Sequence, residues 1–118
     1  MEELKTRPVK ASELAIIQTL LSHIKAKPNQ FTISKTAFEY EGGKMGSINL
    51  VIENQGDYKG DIAIAQYIDS DGIIVMITLT IDSNDNLLDL DFWKVNFEKL
   101  EKYPEPEELV FENFKEIK

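Results

Sequence analysis

The sequence predicts an α+β domain in which an N-terminal amphipathic helix packs on a mainly antiparallel, five-stranded sheet. Three observations carry that expectation. Apolar residues recur at helical spacing near the N-terminus, the period changes to two from Phe31 onward, and the alternating stretches are joined by Gly-, Asn- and Asp-containing turns. Strands joined by hairpins after a single helix favour an antiparallel sheet with the helix laid across one face.

Leu14, Ile17, Leu21 and Ile24, with Ile16 and Leu20 beside them, place one apolar stripe on a helix from about Glu13 to Lys25. Ser12 is the expected N-cap, Glu13 suits the positive end of the helix dipole, and Pro28 stops the helix. Thr32, Ile33, Thr36 and Phe38 then suit a strand ending near Tyr40. Gly42, Gly43 and Gly46 supply a turn, after which Ile48, Leu50 and Ile52 alternate as a half-buried strand that Gln55-Gly-Asp57 closes.

Ile62, Ile64 and Ile68 lead into Asp69-Ser-Asp-Gly72, a tight-hairpin signal. The partner strand, Ile73 to Ile81, is apolar at every odd position and carries Ile74 and Met76 on its second face, as a central strand would. Asp82-Ser-Asn-Asp-Asn86 turns the chain again, and Leu88, Leu90 and Phe92 alternate inward on the last strand. Beyond Tyr103-Pro-Glu-Pro106, residues Glu107 to Lys118 fit a short helix or an irregular tail, with Val110, Phe111, Phe114 and Ile117 favouring the helix. Residues 1–118 read as one domain, with a core over about 7–100 and a C-terminal segment over 101–118.

Composition narrows the function classes. With 42% hydrophobic and 29% charged residues, the 118-residue chain resembles ordinary globular proteins. It has no cysteine, so disulfides, thiolate metal sites and cysteine nucleophiles are excluded. The acids at the start of Met1-Glu-Glu-Leu-Lys-Thr-Arg7 do not suit a signal peptide, no apolar run is long enough to span a bilayer, and a cytoplasmic location is expected. Thirteen Lys and Arg against twenty-one Asp and Glu give a net charge of -8. Such a surface repels nucleic acid and anionic membranes, so neither is expected as a partner, whereas a basic protein is.

No motif meets the requirements of a known chemistry, so no catalytic residue, metal site or cofactor is expected. Asp82 to Asn86 resembles the opening of a calcium loop, but Leu87 stands where glycine is needed and Trp93 where a bidentate acid belongs. Gly42-Gly-Lys-Met-Gly-Ser47 has the ingredients of a phosphate loop in the wrong order, followed by a strand instead of a helix. His23 is the sole histidine, which removes histidine-pair zinc sites, and no nucleophile-elbow serine accompanies it.

The distinctive stretch is Leu87 to Phe97. With Leu88, Leu90 and Phe92 inward, alternation puts Asp89, Asp91 and Trp93 on the opposite face, successive members roughly 6.5 to 7 Å apart. These three, with Lys94, are the candidate binding residues, and Gly42, Gly43, Gly46 and Ser47 form the candidate functional turn. Paired carboxylates at that spacing suit glycoside hydrolysis or a divalent cation, and an indole suits a sugar or a cation, while a solvated outer sheet face is the structural alternative.

Four segments together resemble a small bacterial family with an Arg-x-Leu-Thr-x-Glu-like helix start, a Gly-Gly-Met-Gly-Ser turn, an Asp-Gly hairpin and a Leu-Asp-x-Trp-Lys-Val-Asp-Phe strand. Here they stand as Arg7-Pro-Val-Lys-Ala-Ser-Glu13, Gly42-Gly-Lys-Met-Gly-Ser47, Asp69-Ser-Asp-Gly72 and Leu90-Asp-Phe-Trp-Lys-Val-Asn-Phe97. Lys44 interrupts the glycine run, and Asn96 replaces the usual Asp. The resemblance covers about Arg7 to Leu100 and implies the same architecture in a bacterial cytosolic setting, without a mechanism.

Three functional readings follow. The leading one is a non-enzymatic protein-binding module, with a toxin-neutralising immunity protein as its specific form, whose acidic face meets a basic partner. The second is a small-ligand or hydrolytic domain using Asp89 and Asp91 with the Gly42 to Ser47 loop as a lid. The third is a homodimer joined through the second sheet face, where Ile74 and Met76 would otherwise be exposed.

Overall fold

The computed structural model describes residues 5–40 and 44–111. One helix and seven strands are present among them: β1 (Thr6–Pro8), α1 (Ala11–His23), β2 (Thr36–Glu39), β3 (Ile48–Val51), β4 (Tyr58–Ile68), β5 (Ile74–Asp82), β6 (Leu87–Lys94) and β7 (Val110–Phe111). The strands make a single sheet in the order β1-β2-β3-β6-β5-β4-β7, and every pairing is antiparallel. The α+β architecture matches the sequence reading, with seven strands in place of five. β1 and β7 are the additions, each too short to show a period.

Two meanders build the sheet. β1–β2–β3 and β4–β5–β6 each run between sequence neighbours, and they join where Ile48 opposes Leu90 and Asn49 opposes Asp89. Register fixes which side chains share a face. Ala63, Leu79, Leu90 and Ile48 form one row across four strands, and Ala65, Ile77 and Phe92 form the next. All of these are buried and belong to one core with Ile16, Ile17 and Leu20 of α1. The helix contacts β4, whose inward positions include Ala63 and Ala65. Small side chains there let the helix backbone approach the sheet closely.

The helix begins earlier than Ser12. Lys10 is the N-cap residue, and the Glu13 carboxylate accepts from its backbone N–H at 2.8 Å, which satisfies a donor that the missing cap hydroxyl would not reach. The buried face is accordingly Glu13, Ile16, Ile17 and Leu20, with Leu14, Leu21 and Ile24 at its margins. Lys25, in the left-handed region at φ 60°, ends the helix before Pro28 does.

The strand expected from Phe31 to Tyr40 forms only over Thr36–Glu39. Ser34 bonds locally to Thr36 and to the carbonyl of Val51, while Thr32 instead bridges to the β5–β6 turn, accepting from Leu87 N–H and donating to Asp85. The Asp-Gly hairpin is wider than a two-residue turn: Ile68 pairs with Ile74, and residues 69–73 make the loop, with Gly72 at φ 83°. At the C-terminal end, Pro106–Glu108 forms a single 3-10 turn and Val110–Phe111 pairs with β4, so the start of the expected helix is irregular turn and strand. Residues 112–118 lie outside the described residues.

The Asp82 to Asn86 turn is held by a buried carboxylate. Asp82, fully buried, accepts from the backbone N–H groups of Gly56, Asn84 and Asn86 at 2.8 to 2.9 Å and from the Asn86 amide at 3.0 Å. A Cβ at Gly56 would stand 2.3 Å from Ser83 Oγ, so a side chain there would displace the hydroxyl that accepts from Asp57 N–H. Burial pushes the Asp82 carboxyl up, but the Gly56 and Asn86 donors outweigh it and hold the pKa at about 2.

Two outcomes follow. Ala65→Leu would force a larger side chain into the core and is expected to cost about 1–3 kcal/mol in urea unfolding. A folded pKa depressed below the unfolded value of about 3.9 makes the Asp82 contribution full above that pH and lost as pH falls toward about 2. Denaturation midpoints of Asp82→Asn measured through that window should fall less steeply than those of the parent.

Candidate functional site

β6 carries the residues that the sequence singled out. It sends Leu90 and Phe92 into the core and leaves Asp89 half-buried and Asp91 and Trp93 exposed on the face away from α1; a register shift opposite Leu79 to Ile81 breaks the alternation before Asp89, so that Leu87 in place of the expected Leu88 joins the core cluster. On this face Trp93 opposes Met76 of β5, and Asp91 opposes Thr78. Trp93 is 48% exposed and lies 6.1 Å from the Phe97 ring, near the exposed Ile74 and Ile68 at the adjoining strand ends. The face is therefore acidic toward β3 and apolar toward the β4–β5 hairpin.

β3 and its preceding turn fix the two acids. Tyr40 Oη donates to Asp89 Oδ1 at 2.7 Å, and Asn49 Nδ2 donates to the same oxygen at 3.0 Å. Burial, then the bond to Asp89, raises the Tyr40 hydroxyl well above its ordinary pKa, so it remains a donor. Ser47 Oγ lies 2.9 Å from Asp91 Oδ1 and accepts from the Phe92 N–H at 2.7 Å. Ser47 thus ties the candidate turn to the candidate strand. Gly46 adopts φ 91°, and a Cβ there would sit 3.3 Å from Leu100 and 3.6 Å from the Phe92 ring. Gly42 and Gly43 lie outside the described residues.

Lys94 departs from the sequence reading. Its parity is that of Leu90 and Phe92, so it points to the core side, opposite Val75, and is fully buried. The surface assigned to Asp89, Asp91 and Trp93 does not include it. Its ammonium has a complete set of partners: Asp71 Oδ2 at 2.6 Å, Asp69 Oδ2 at 3.0 Å and the Lys99 carbonyl at 3.1 Å. Burial lowers the Lys94 pKa, yet the bonds to Asp71 and Asp69 outweigh it, and the net displacement is upward.

Asp69 is equally enclosed. It accepts from the backbone N–H groups of Ser70, Glu101 and Lys102 at 2.7 to 2.9 Å. Burial pushes its carboxyl up, while the Glu101 N–H and Lys94 pull it below the ordinary range. The Asp-Gly hairpin, the end of β6 and the following loop therefore meet at one ion pair. Sequence reading missed this because lysine is usually solvated; the available signal was its even-numbered parity beside Phe92.

A second cluster also escaped the sequence reading. Arg7 of β1 grips Glu13 through two nitrogens at 2.7 and 2.9 Å and reaches Glu39 at 2.7 Å. It joins β1, the helix start and β2. A cavity of about 220 Å³ opens beside it, a second of about 660 Å³ lies by Gln18 and Ile33, and a third of about 540 Å³ lies by His23 and Phe111. None of these three is lined by Asp89, Asp91 or Trp93. Among the described residues no group of three or more His, Asp or Glu side chains is arranged to hold a metal ion, and no helix is long and apolar enough to cross a membrane.

Asp69→Ala leaves a buried ammonium short of its nearest enclosed counter-charge and is expected to cost about 3 kcal/mol in chemical denaturation. Trp93→Ala, on the exposed side of the same strand, should change the same midpoint much less.

No curated protein and no solved structure matches the chain. A family model described as a domain of unknown function, DUF6984, matches residues 6–104, which spans β1 through the loop that encloses Lys94. The chain belongs to that family.

Proposed function

We propose that the chain is a non-enzymatic protein-binding module whose face around Asp89, Asp91 and Trp93 docks a basic protein. The observation that carries this reading is the juxtaposition on one sheet face of two acids with a half-exposed indole, next to Met76, Ile74 and Phe97. An aromatic anchor beside charges is the composition of a binding hot spot: the apolar part supplies affinity and the acids guide encounter. The net charge of -8 extends that guidance over the surface.

The competing hydrolytic reading needs a concavity beside the acids, and the three cavities described above lie elsewhere. Its proposed lid includes Gly42 and Gly43, outside the described residues. Self-association has support of its own in the exposed Ile68, Ile74, Trp93 and Phe97. The net charge of -8 on each copy opposes such a contact, which favours a basic partner over a second copy. In the cytosol of a bacterium, masking the basic surface of a toxin is the immunity-type form of this proposal; the lack of cysteine is compatible with that compartment, and the resemblance of the four sequence segments bears on the bacterial setting alone.

The test is affinity capture from the native host at low and high salt, with Trp93→Ala and Asp91→Lys as matched baits. The expected outcome is a protein released by salt, bound about tenfold or more weakly by Trp93→Ala and poorly by Asp91→Lys. Equal capture by all three baits would remove the face from the interaction. A micromolar dimer in light scattering that Trp93→Ala dissolves would replace the basic partner with a second copy.

A further inference from the structure

The molecule carries an unexpected concentration of positive charge at the opposite side of the sheet. Four basic side chains, Arg7, Lys10, Lys44 and Lys99, line the cavity of about 220 Å³ beside the start of α1, against two carboxylates, Glu13 and Glu39. Both of those carboxylates are held by Arg7. Lys10, Lys44 and Lys99 are exposed at the rim, and none makes an ion pair among the described residues. In a chain of net charge -8, three unpaired ammonium groups around one small cavity run against the overall field.

The three lysines come from separate segments that the fold brings together. Lys10 caps α1, Lys44 belongs to the turn before β3, and Lys99 to the loop after β6. The last two are joined by a backbone bond from Leu100 N–H to the Lys44 carbonyl at 3.1 Å. The backbone of Lys99 is fixed in turn by the Lys94 ammonium, which donates to its carbonyl. The rim is held by the backbone, while its charged ends remain unoccupied by protein carboxylates.

An independent observation concerns a residue that lines the same cavity. Tyr103 contributes to its lining, and the Tyr103 hydroxyl is the buried side-chain polar atom that lacks a hydrogen-bond partner among the described residues. An enclosed O–H without an acceptor costs free energy that a Phe would avoid. The ring itself is fixed, packed 5.2 Å from Phe92. Burial raises the Tyr103 pKa well above the ordinary value, so the group is a neutral donor awaiting an acceptor.

We propose that this cavity is a binding site for a phosphomonoester-type dianion, with Lys10, Lys44 and Lys99 neutralising its charge and Tyr103 donating to one of its oxygens. Among the described residues, four cations against two carboxylates leave two positive charges, which a dianion matches and a monocarboxylate does not. Ammonium groups act as point charges toward phosphate oxygens. Ser12, in the first turn of α1, also lines the cavity, where the helix dipole adds a further favourable field. Ile48 and Leu100 give the wall an apolar part suited to a short organic body on the phosphate. The site is separate from the Asp89 and Trp93 face and does not depend on that reading.

The test is titration of the full chain with inorganic phosphate, phenyl phosphate and acetate by calorimetry at constant ionic strength. Saturable binding of both phosphates in preference to acetate is expected, tighter for phenyl phosphate, and about tenfold weaker in each of Lys44→Ala and Lys99→Ala. Tyr103→Phe gives a second readout. It should raise the thermal midpoint of the ligand-free protein by removing the orphan hydroxyl, yet weaken phosphate binding. Absence of saturable phosphate binding, acetate binding as tightly as phosphate, or unchanged affinity in all three variants would overturn the assignment.

Discussion

The enclosed pair of Lys94 and Asp69 is the constraint around which the rest of the molecule is arranged. An ammonium with no solvent contact must keep its three partners, and those partners belong to the β4–β5 hairpin and to the loop after β6. The net contribution of such a pair to stability is modest, because desolvation offsets most of the attraction. Its effect is on specificity. A one-residue slip of β6 would bring Trp93 to the position of the buried ammonium and strand both carboxylates, so the register that exposes the indole is the one that satisfies the charge.

The same pair shapes the cationic cavity. Asp69 collects the backbone N–H groups of Glu101 and Lys102, and Lys94 holds the carbonyl of Lys99. The loop that brings Lys99, Leu100 and Tyr103 to the mouth of that cavity is therefore anchored by hydrogen bonds at its base. Acidic and basic groups end up on different sides of the sheet because odd and even positions of β6 serve different neighbours: Asp89 and Asp91 face Tyr40 and Ser47, while Lys94 gathers the loops.

Much of this was legible in the sequence, and the losses have definite causes. The inward and outward members of Asp89 to Trp93 follow from period two alone, and Ile48 to Val51 and Ile74 to Asp82 were equally visible, whereas the register shift that brings Leu87 into the core in place of Leu88 left no sign in the alternation. β1 and β7 were not, because three and two residues are too few to show a period, and they exist only through pairing with β2 and β4. The first half of β4 was hidden because Tyr58, Lys59 and Asp61 face solvent and carry no apolar signal. For the site, the outer acids and indole could be read, but Lys94 was grouped with them on its hydrophilicity although its parity places it inside. Glu39 is far from Arg7 along the chain, and the β1–β2 pairing brings the two together, while Glu13, six residues from Arg7, comes back to it at the start of α1.

The outer margin of β4 has a consequence for how the chain avoids its own kind. β4 is eleven residues long, and among the described residues β7 pairs with its Ala65 and Gln66. An unpaired strand margin offers backbone amides and carbonyls of the sort that template fibrous stacking. Two irregularities in its pairing with β5, at Tyr58/Gly60 and Asp61/Ala63, twist the margin, and Lys59 and Asp61 add charge along it. Irregular geometry and charge thus guard that border.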